Sequence, residues 1–221
     1  MTATGESYAI YQNLHRLCKF RGARVTSRVI DSADHIAQMD SLHYAQITAE
    51  RDASDVRGAA HIMIAQLANG HSIETKSDLF QRFLDRFIRA QKKDAIETNI
   101  IVITSLDISP NVRAKIDATN ANARATPDVS PLFIEHVLAA RVRIVVPEHI
   151  AVPEHTIVPR EDVERICAEL HIARADFPRI VASGDKPDAM AVWLGLRPGM
   201  VVRIKRISSA TGYSIAYRAC T

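Results

Sequence analysis

The chain has 221 residues, of which 47% are apolar and 24% charged, enough for one large or two small domains with a substantial core. Its formal net charge of +3 is too small to argue for nucleic-acid binding by bulk attraction alone. The charge is unevenly placed: Val192 to Thr221 holds Arg197, Arg203, Lys205, Arg206 and Arg218 and no acidic residue, a surface suited to phosphate or to an acidic protein. The cysteines, Cys18, Cys167 and Cys220, are odd in number and far apart, which argues against a disulfide framework and a CxxC metal knuckle and suits a reducing compartment. No apolar run reaches the length of a membrane span, and the N-terminal residues lack the basic-then-apolar order of a secretory signal. A soluble intracellular protein is expected.

In chain order, a first helix is predicted from Ser7, as N-cap, to Lys19, with Ile10, Leu14 and Leu17 buried and Gly22 ending it. Thr26 to Asp52 is helix-permissive without clear periodicity. His61 to Ala68 reads as a strand, followed by an Asn69-Gly70 turn. Ser77 is placed to cap a helix with Leu79, Phe80, Phe83, Leu84, Phe87 and Ile88 on one face. Asn99 to Thr104 is a run of β-formers expected to be covered on both faces. Strand, helix and strand in that order make a βαβ unit, so the first part is α/β. Ser109-Pro110 opens another helix, Phe133, Ile134, Val137 and Leu138 suggest a further one, and Val142 to Val146 a strand.

The texture then changes. Pro147, Pro153, Pro159 and Pro178 punctuate a stretch whose clear helix carries Val163, Ile166, Cys167 and Leu170 as its stripe. Two alternating β segments, Met200 to Ile207 and Tyr213 to Ala219, flank a turn with Gly212. The expected division is an α/β domain over 1–144 and a small α+β domain over 145–221.

Candidate chemistry is sparse. His149 and His155 lie six apart in a Pro-broken segment beside Glu148 and Glu154, a spacing that does not align two imidazoles or supply a third ligand. Glu74-Thr75-Lys76, with Asp55 upstream, has the acid-x-Lys form of metal-dependent nucleases, whose carboxylates hold magnesium while the lysine orients water. The tripeptide sits between a turn and a helix cap, where exposed charge is ordinary. Nucleophile elbows and phosphate-binding Gly loops are absent from the sequence. The residues support no catalytic, metal or cofactor site.

Four segments in order carry more information: EHIAVPEH (Glu148 to His155), FPRI (Phe177 to Ile180), LGLRPGMVVRIKR (Leu194 to Arg206) and SSATGYSIAYR (Ser208 to Arg218). Together they resemble the C-terminal domain of the fifth subunit of eukaryotic DNA-directed RNA polymerases, a domain that archaeal RNA polymerases share as a small separate chain. The matching positions are His149, Val152, Pro153 and His155; Pro178, Arg179 and Ile180; Gly195, Gly199, Val201 and Val202; and Arg206, Ser208, Gly212, Tyr217 and Arg218. The resemblance is specific over this last third and looser before it, where the opening helix, the Phe-rich helix and the NIIVIT strand correspond. The chain departs from the family at Phe177, at Tyr213 and between Ile180 and Gly195, where an expected Asp-Pro and Arg-Tyr are missing and Trp193 takes the Tyr position. That puts the partner contacts of the Val181–Leu194 loop in question. Such divergence suits a distant protist or a large DNA virus.

The resemblance implies a non-catalytic polymerase subunit in transcription. It implies an N-terminal jaw domain near downstream duplex DNA and a C-terminal assembly domain docking on the largest subunit. It implies neither cofactor nor small-molecule substrate nor membrane, and a nuclear location, or a virion or cytoplasmic viral factory if a virus encodes it. Expected partner-docking residues are His149, Pro153, His155, Pro178, Arg179, Gly195, Gly199, Arg206, Gly212, Tyr217 and Arg218. Of these, Arg206 and Arg218 are best placed for direct contact, while the glycines and prolines shape the fold. Arg82, Arg86, Arg89, Lys92 and Lys93, in and after the Phe-rich helix, are candidates to face DNA. The alternatives are a small nuclease built on Glu74 and Lys76 and a free-standing transcription factor.

Overall fold

A computed structural model describes residues 3–68, 77–90, 96–125, 131–182, 186–208 and 210–221. The chain divides into two compact units, Met1–Ile144 and Val145–Thr221.

In the first unit the elements are α1 (Ala3–Phe20), β1 (Ala23–Val25), α2 (Ser32–Leu42), β2 (Tyr44–Arg51), β3 (Ala60–Leu67), α3 (Ser77–Ala90), β4 (Glu97–Thr104), α4 (Pro110–Ala125), β5 (Leu132–Leu138) and α5 (Ala139–Val142). The strands form one mixed sheet in the order β1-β2-β3-β4-β5. β1, β2 and β3 pair antiparallel, whereas β3, β4 and β5 pair parallel. The expected βαβ unit is therefore β3-α3-β4. Met63, Ala65 and Leu67 of β3 and Ile100 and Val102 of β4 share one core with Phe80, Phe83, Leu84 and Phe87 of α3 and Val112 and Ile116 of α4. Phe83 and Phe87 lie 4.9 Å apart, and Tyr44 sets its edge on Phe83 at 5.5 Å, an arrangement aromatic quadrupoles favour. On the other face, Gln66 Nε2 donates to Ser7 O at 2.9 Å, so α1 covers that side. Leu14 and Leu17 of α1 are fully buried.

Several sequence expectations are corrected here. Ser7 is no N-cap: α1 begins at Ala3, and the Ser7 carbonyl and hydroxyl both accept from Gln66. The open stretch 26–52 forms α2 and β2, and Asp31 caps α2 by accepting from Asp34 N at 2.8 Å. Residues 132–138 form a strand, not a helix. Buried Ile134 and Val137 lie on opposite faces of that strand, and a strand covered on both sides mimics a helical spacing. Val142 to Val146 is not a strand: the chain makes α5, a bend and a 3₁₀ turn, and Asn13 Nδ2 donates to Val142 O and Arg143 O, both at 2.9 Å. The Asn69-Gly70 turn lies outside the described residues, as does the side chain of Ile88.

In the second unit the elements are β6 (Glu154–Val158), α6 (Arg160–Leu170), β7 (Arg179–Ile180), α7 (Ala189–Leu194), β8 (Val201–Ser208) and β9 (Gly212–Cys220), with the sheet ordered β6-β8-β9-β7. Val202, Ile204 and Cys220 turn one face toward Met190, Ala191 and Leu194 of α7. Val158 and Val201 turn the other toward Val163 and Ile166 of α6 and Phe177. Leu170, expected in the α6 stripe, is instead 47% exposed, at the helix end where His171 turns left-handed. Residues 189–194, expected in a loop, are helical. Asp188 caps them through Met190 N at 2.8 Å, and a six-residue helix buried on all sides shows no polar face to read.

Candidate functional site

The expected docking residues separate by what their side chains touch. Gly195 closes α7, donating to Val192 O at 3.2 Å, and Gly199 donates to Cys220 O at 3.0 Å while its own carbonyl accepts from Arg174. Tyr217 sets its ring 5.9 Å from Phe177, inside a core. His155 donates from Nδ1 to Pro153 O at 2.7 Å, the only role open to a nitrogen facing a carbonyl. Gly212 opens β9 at φ 75°, a conformation that disfavours any residue with a Cβ. These positions shape the domain.

The remaining residues lie on its surface. His149 is exposed, and its Nδ1 accepts from Ala151 N at 3.2 Å. Pro178 and Arg179 are exposed beside half-buried Arg218, whose Nη1 donates to Arg179 O at 3.3 Å. Arg206 is exposed farther along the sheet. Arg218 stands opposite Val202, so Arg206 lies four residues along β8 from that register, about 13 Å at strand rise. The two arginines share a face but form two separate basic points.

The β8–β9 hairpin carries a feature that the motifs do not announce. Beyond Lys205, where pairing with β6 ends, the hairpin projects without helix cover. Lys205, Ile207, Tyr213 and Ile215 then lie on one face, with Ile207 97%, Tyr213 55% and Ile215 41% exposed. Lys205 Nζ sits 5.1 Å from the Tyr213 ring centroid, a cation–π contact. An alternating apolar pattern was the available signal, but it does not say which end of a strand a helix leaves bare.

The first unit answers the nuclease and DNA expectations differently. Glu74 and Lys76 lie outside the described residues. Asp55 takes Arg57 Nε and Nη2 at 2.7 and 2.8 Å, with Arg51 Nε at 3.9 Å. The guanidinium groups hold its carboxyl below its ordinary range against the opposing effect of burial. The carboxylate is engaged in local structure, which removes one supposed magnesium ligand. No group of three or more His, Cys, Asp or Glu among the described residues is arranged to hold a metal. Arg82, Arg86 and Arg89 are exposed on α3, opposite the phenylalanine stripe, while Lys92 and Lys93 lie outside the described residues.

One constellation escaped sequence reasoning altogether. Thr104 Oγ1 lies 2.6 Å from His136 Nε2, whose Nδ1 is 3.9 Å from Asp107 Oδ1, at the C-terminal ends of β4 and β5. Hydroxyl, imidazole and carboxylate stand in the order of a nucleophilic triad. Thr104, however, is 1% exposed and donates its single hydroxyl proton to Leu106 O at 2.6 Å. Arg113 Nη2 meets Asp107 at 2.8 Å. The group pins the loop after β4 and offers no accessible nucleophile.

Comparison with known proteins places the surface in context. Residues 144–220 match the family model "RNA polymerase Rpb5, C-terminal domain", which is the whole sheet of the second unit. A 135-residue stretch is 30% identical to DNA-directed RNA polymerases I, II, and III subunit RPABC1 of Caenorhabditis elegans and of Caenorhabditis briggsae, covering 59% of this chain. The chain spans 57% of the length of those nematode relatives. A 100-residue stretch is 35% identical to DNA-directed RNA polymerase subunit Rpo5 of Methanopyrus kandleri, covering 44% of this chain and 92% of that protein. With one relative matched over nearly its full length and the family model spanning every strand of the second sheet, the chain belongs to the Rpb5/Rpo5 family of DNA-directed RNA polymerase subunits.

Proposed function

We propose that the chain is a non-catalytic subunit of a nuclear or virus-encoded multisubunit DNA-directed RNA polymerase. Its second unit docks on the largest subunit, and its first unit forms part of the jaw beside downstream DNA. The observation that carries this reading is the family match, which coincides with one complete structural unit that has its own sheet and cores. His149, Arg179, Arg206 and Arg218 are the docking side chains that reach the surface. Arg82, Arg86 and Arg89 offer the first unit's DNA-facing charge, with Lys92 and Lys93 next in sequence.

The test is reconstitution. Tagged full-length chain should co-purify with the large polymerase subunits, and residues 145–221 should suffice where 1–144 do not. Gly212→Val should weaken association, because φ 75° strains a β-branched residue by about 1–3 kcal/mol while no neighbour lies within 4 Å to clash. Polymerase carrying only the second unit should release downstream duplex more readily as salt rises, since phosphate contacts are screened. Co-purification through 1–144 alone would reverse the assignment of roles. Equal salt sensitivity with and without the first unit would remove its DNA role.

A further inference from the structure

The two sheets finish their rims differently. At the outer side of β5, the Asn120 amide donates to Ile134 O at 2.9 Å and accepts from Ile134 N at 2.8 Å, occupying both groups as a neighbouring strand would. On the outer side of β9, β7 reaches only Ala219 and Cys220. The bonds present fix which groups point outward. Cys220 N donates inward to Met200 O, whereas Ala219 N donates outward to Pro178 O. Backbone groups alternate in direction along a strand, so those of Tyr213, Ile215 and Tyr217 also point outward. Among the described residues no backbone group pairs with them; the Tyr213 carbonyl alone accepts a side-chain bond, from Thr211 Oγ1 at 3.2 Å. The opposite rim, β6, is a five-residue strand bracketed by Pro153 and Pro159, residues that blunt an edge.

The surroundings of this open edge define what fits it. One face offers the exposed Tyr213 and Ile215 beside Ile207. The other offers Arg218 and, across the small Ser214, Arg206. No acidic residue occurs from Val192 to Thr221. We infer that the outer edge of β9 accepts an extended segment of the polymerase's largest subunit as a further strand. In that segment, apolar residues alternate with acidic ones. The apolar set packs beside Tyr213 and Ile215, the acidic set faces Arg218 and Arg206, and the main chain bonds to Tyr213, Ile215 and Tyr217. This inference rests on the docking reading and specifies its geometry.

Ile215→Pro tests it in the full-length chain. The substitution removes an outward N–H and places a ring against an incoming strand, while the inward ladder to β8 keeps its bonds. Unchanged Trp193 fluorescence would verify the second unit's fold. Reconstituted with the polymerase, this variant should bind at least about tenfold more weakly. Wild-type protein gives a second readout by amide hydrogen exchange. In the complex, the amides of Tyr213, Ile215 and Tyr217 should slow by about tenfold or more, while Ser214, Ala216 and Arg218, already paired to β8, change little. A complex that forms without slowing those outward amides overturns the added strand and leaves docking intact. Failure of wild type to enter any polymerase complex overturns both. A dimer of this chain that Ile215→Pro abolishes would assign the edge to a second copy and overturn the proposed partner.

Discussion

Lowering the pH should loosen the first unit through His136. Buried between Thr104, Asp107 and Arg113, its imidazole is pushed from 6.5 down to about 4, chiefly because burial penalises the charged ring; Arg113 adds to the effect and Asp107 opposes it. The folded value lies below the unfolded one, so the unfolded chain takes up the proton first. The stability at stake is fully present above about pH 6.5 and is lost as pH falls; below about pH 4 both states are protonated and the slope vanishes. The full difference is about 3 kcal/mol, of which about 2 kcal/mol is gone at about pH 5. Burial lowers His15 and His35 as well, so they steepen the same trend. The assay is amide hydrogen exchange in β4 and β5, corrected for the intrinsic rate, at neutral and mildly acidic pH, in wild type and His136→Gln. The glutamine carries no titrating proton, so its loss of protection should be smaller by about 2 kcal/mol at about pH 5. Equal losses in both proteins would refute the reasoning and move the acid sensitivity elsewhere.

Two further outcomes follow from contacts in the first unit. Gly22→Ala should cost about 2–4 kcal/mol by denaturant midpoint. Its φ of 65° strains an alanine, and the new Cβ would fall 2.0 Å from Asp55 Oδ2, displacing a carboxylate held by Arg57. A cost under about 0.5 kcal/mol would mean that the Asp55 loop moves aside without loss. Asn120→Leu should cost about 1–3 kcal/mol and speed exchange of the Ile134 amide, because both backbone groups of Ile134 lose their partner; unchanged exchange there would show that the amide bonds are not formed in solution.

What the sequence made legible was whatever a single local signal determines. The phenylalanine spacing of α3 and the NIIVIT run of β4 each have one physical explanation, and both elements stand where expected. The motif order after Glu148 carried the second unit because glycines at 195, 199 and 212 answer to backbone geometry that few other residues tolerate. Elements whose character depends on distant neighbours were not legible. β5 looks helical until β4 and α4 cover its two sides, and α7 has no polar face because its surroundings are all protein. The surface was harder still. Nothing local distinguishes Ile207, left bare at a hairpin end, from Ile204 three residues earlier, which is 2% exposed beneath α7. Arg206 and Arg218 were singled out for lack of nearby acids, yet only the strand register shows that they stand well apart on one face.

The placement of the aromatic residues gives the chain two optical channels. Its one tryptophan, Trp193, is fully buried in the second unit, whereas Tyr8, Tyr11 and Tyr44 belong to the first. Selective excitation of the indole therefore follows the smaller unit alone. A melting curve recorded that way would credit the whole chain with that unit's stability and pass over the unravelling of the larger one. Tyrosine or far-ultraviolet signals must be read beside it. The same division is useful inside an assembled enzyme lacking other nearby tryptophans, where the indole would report events at α7 and the β8–β9 sheet without any attached dye.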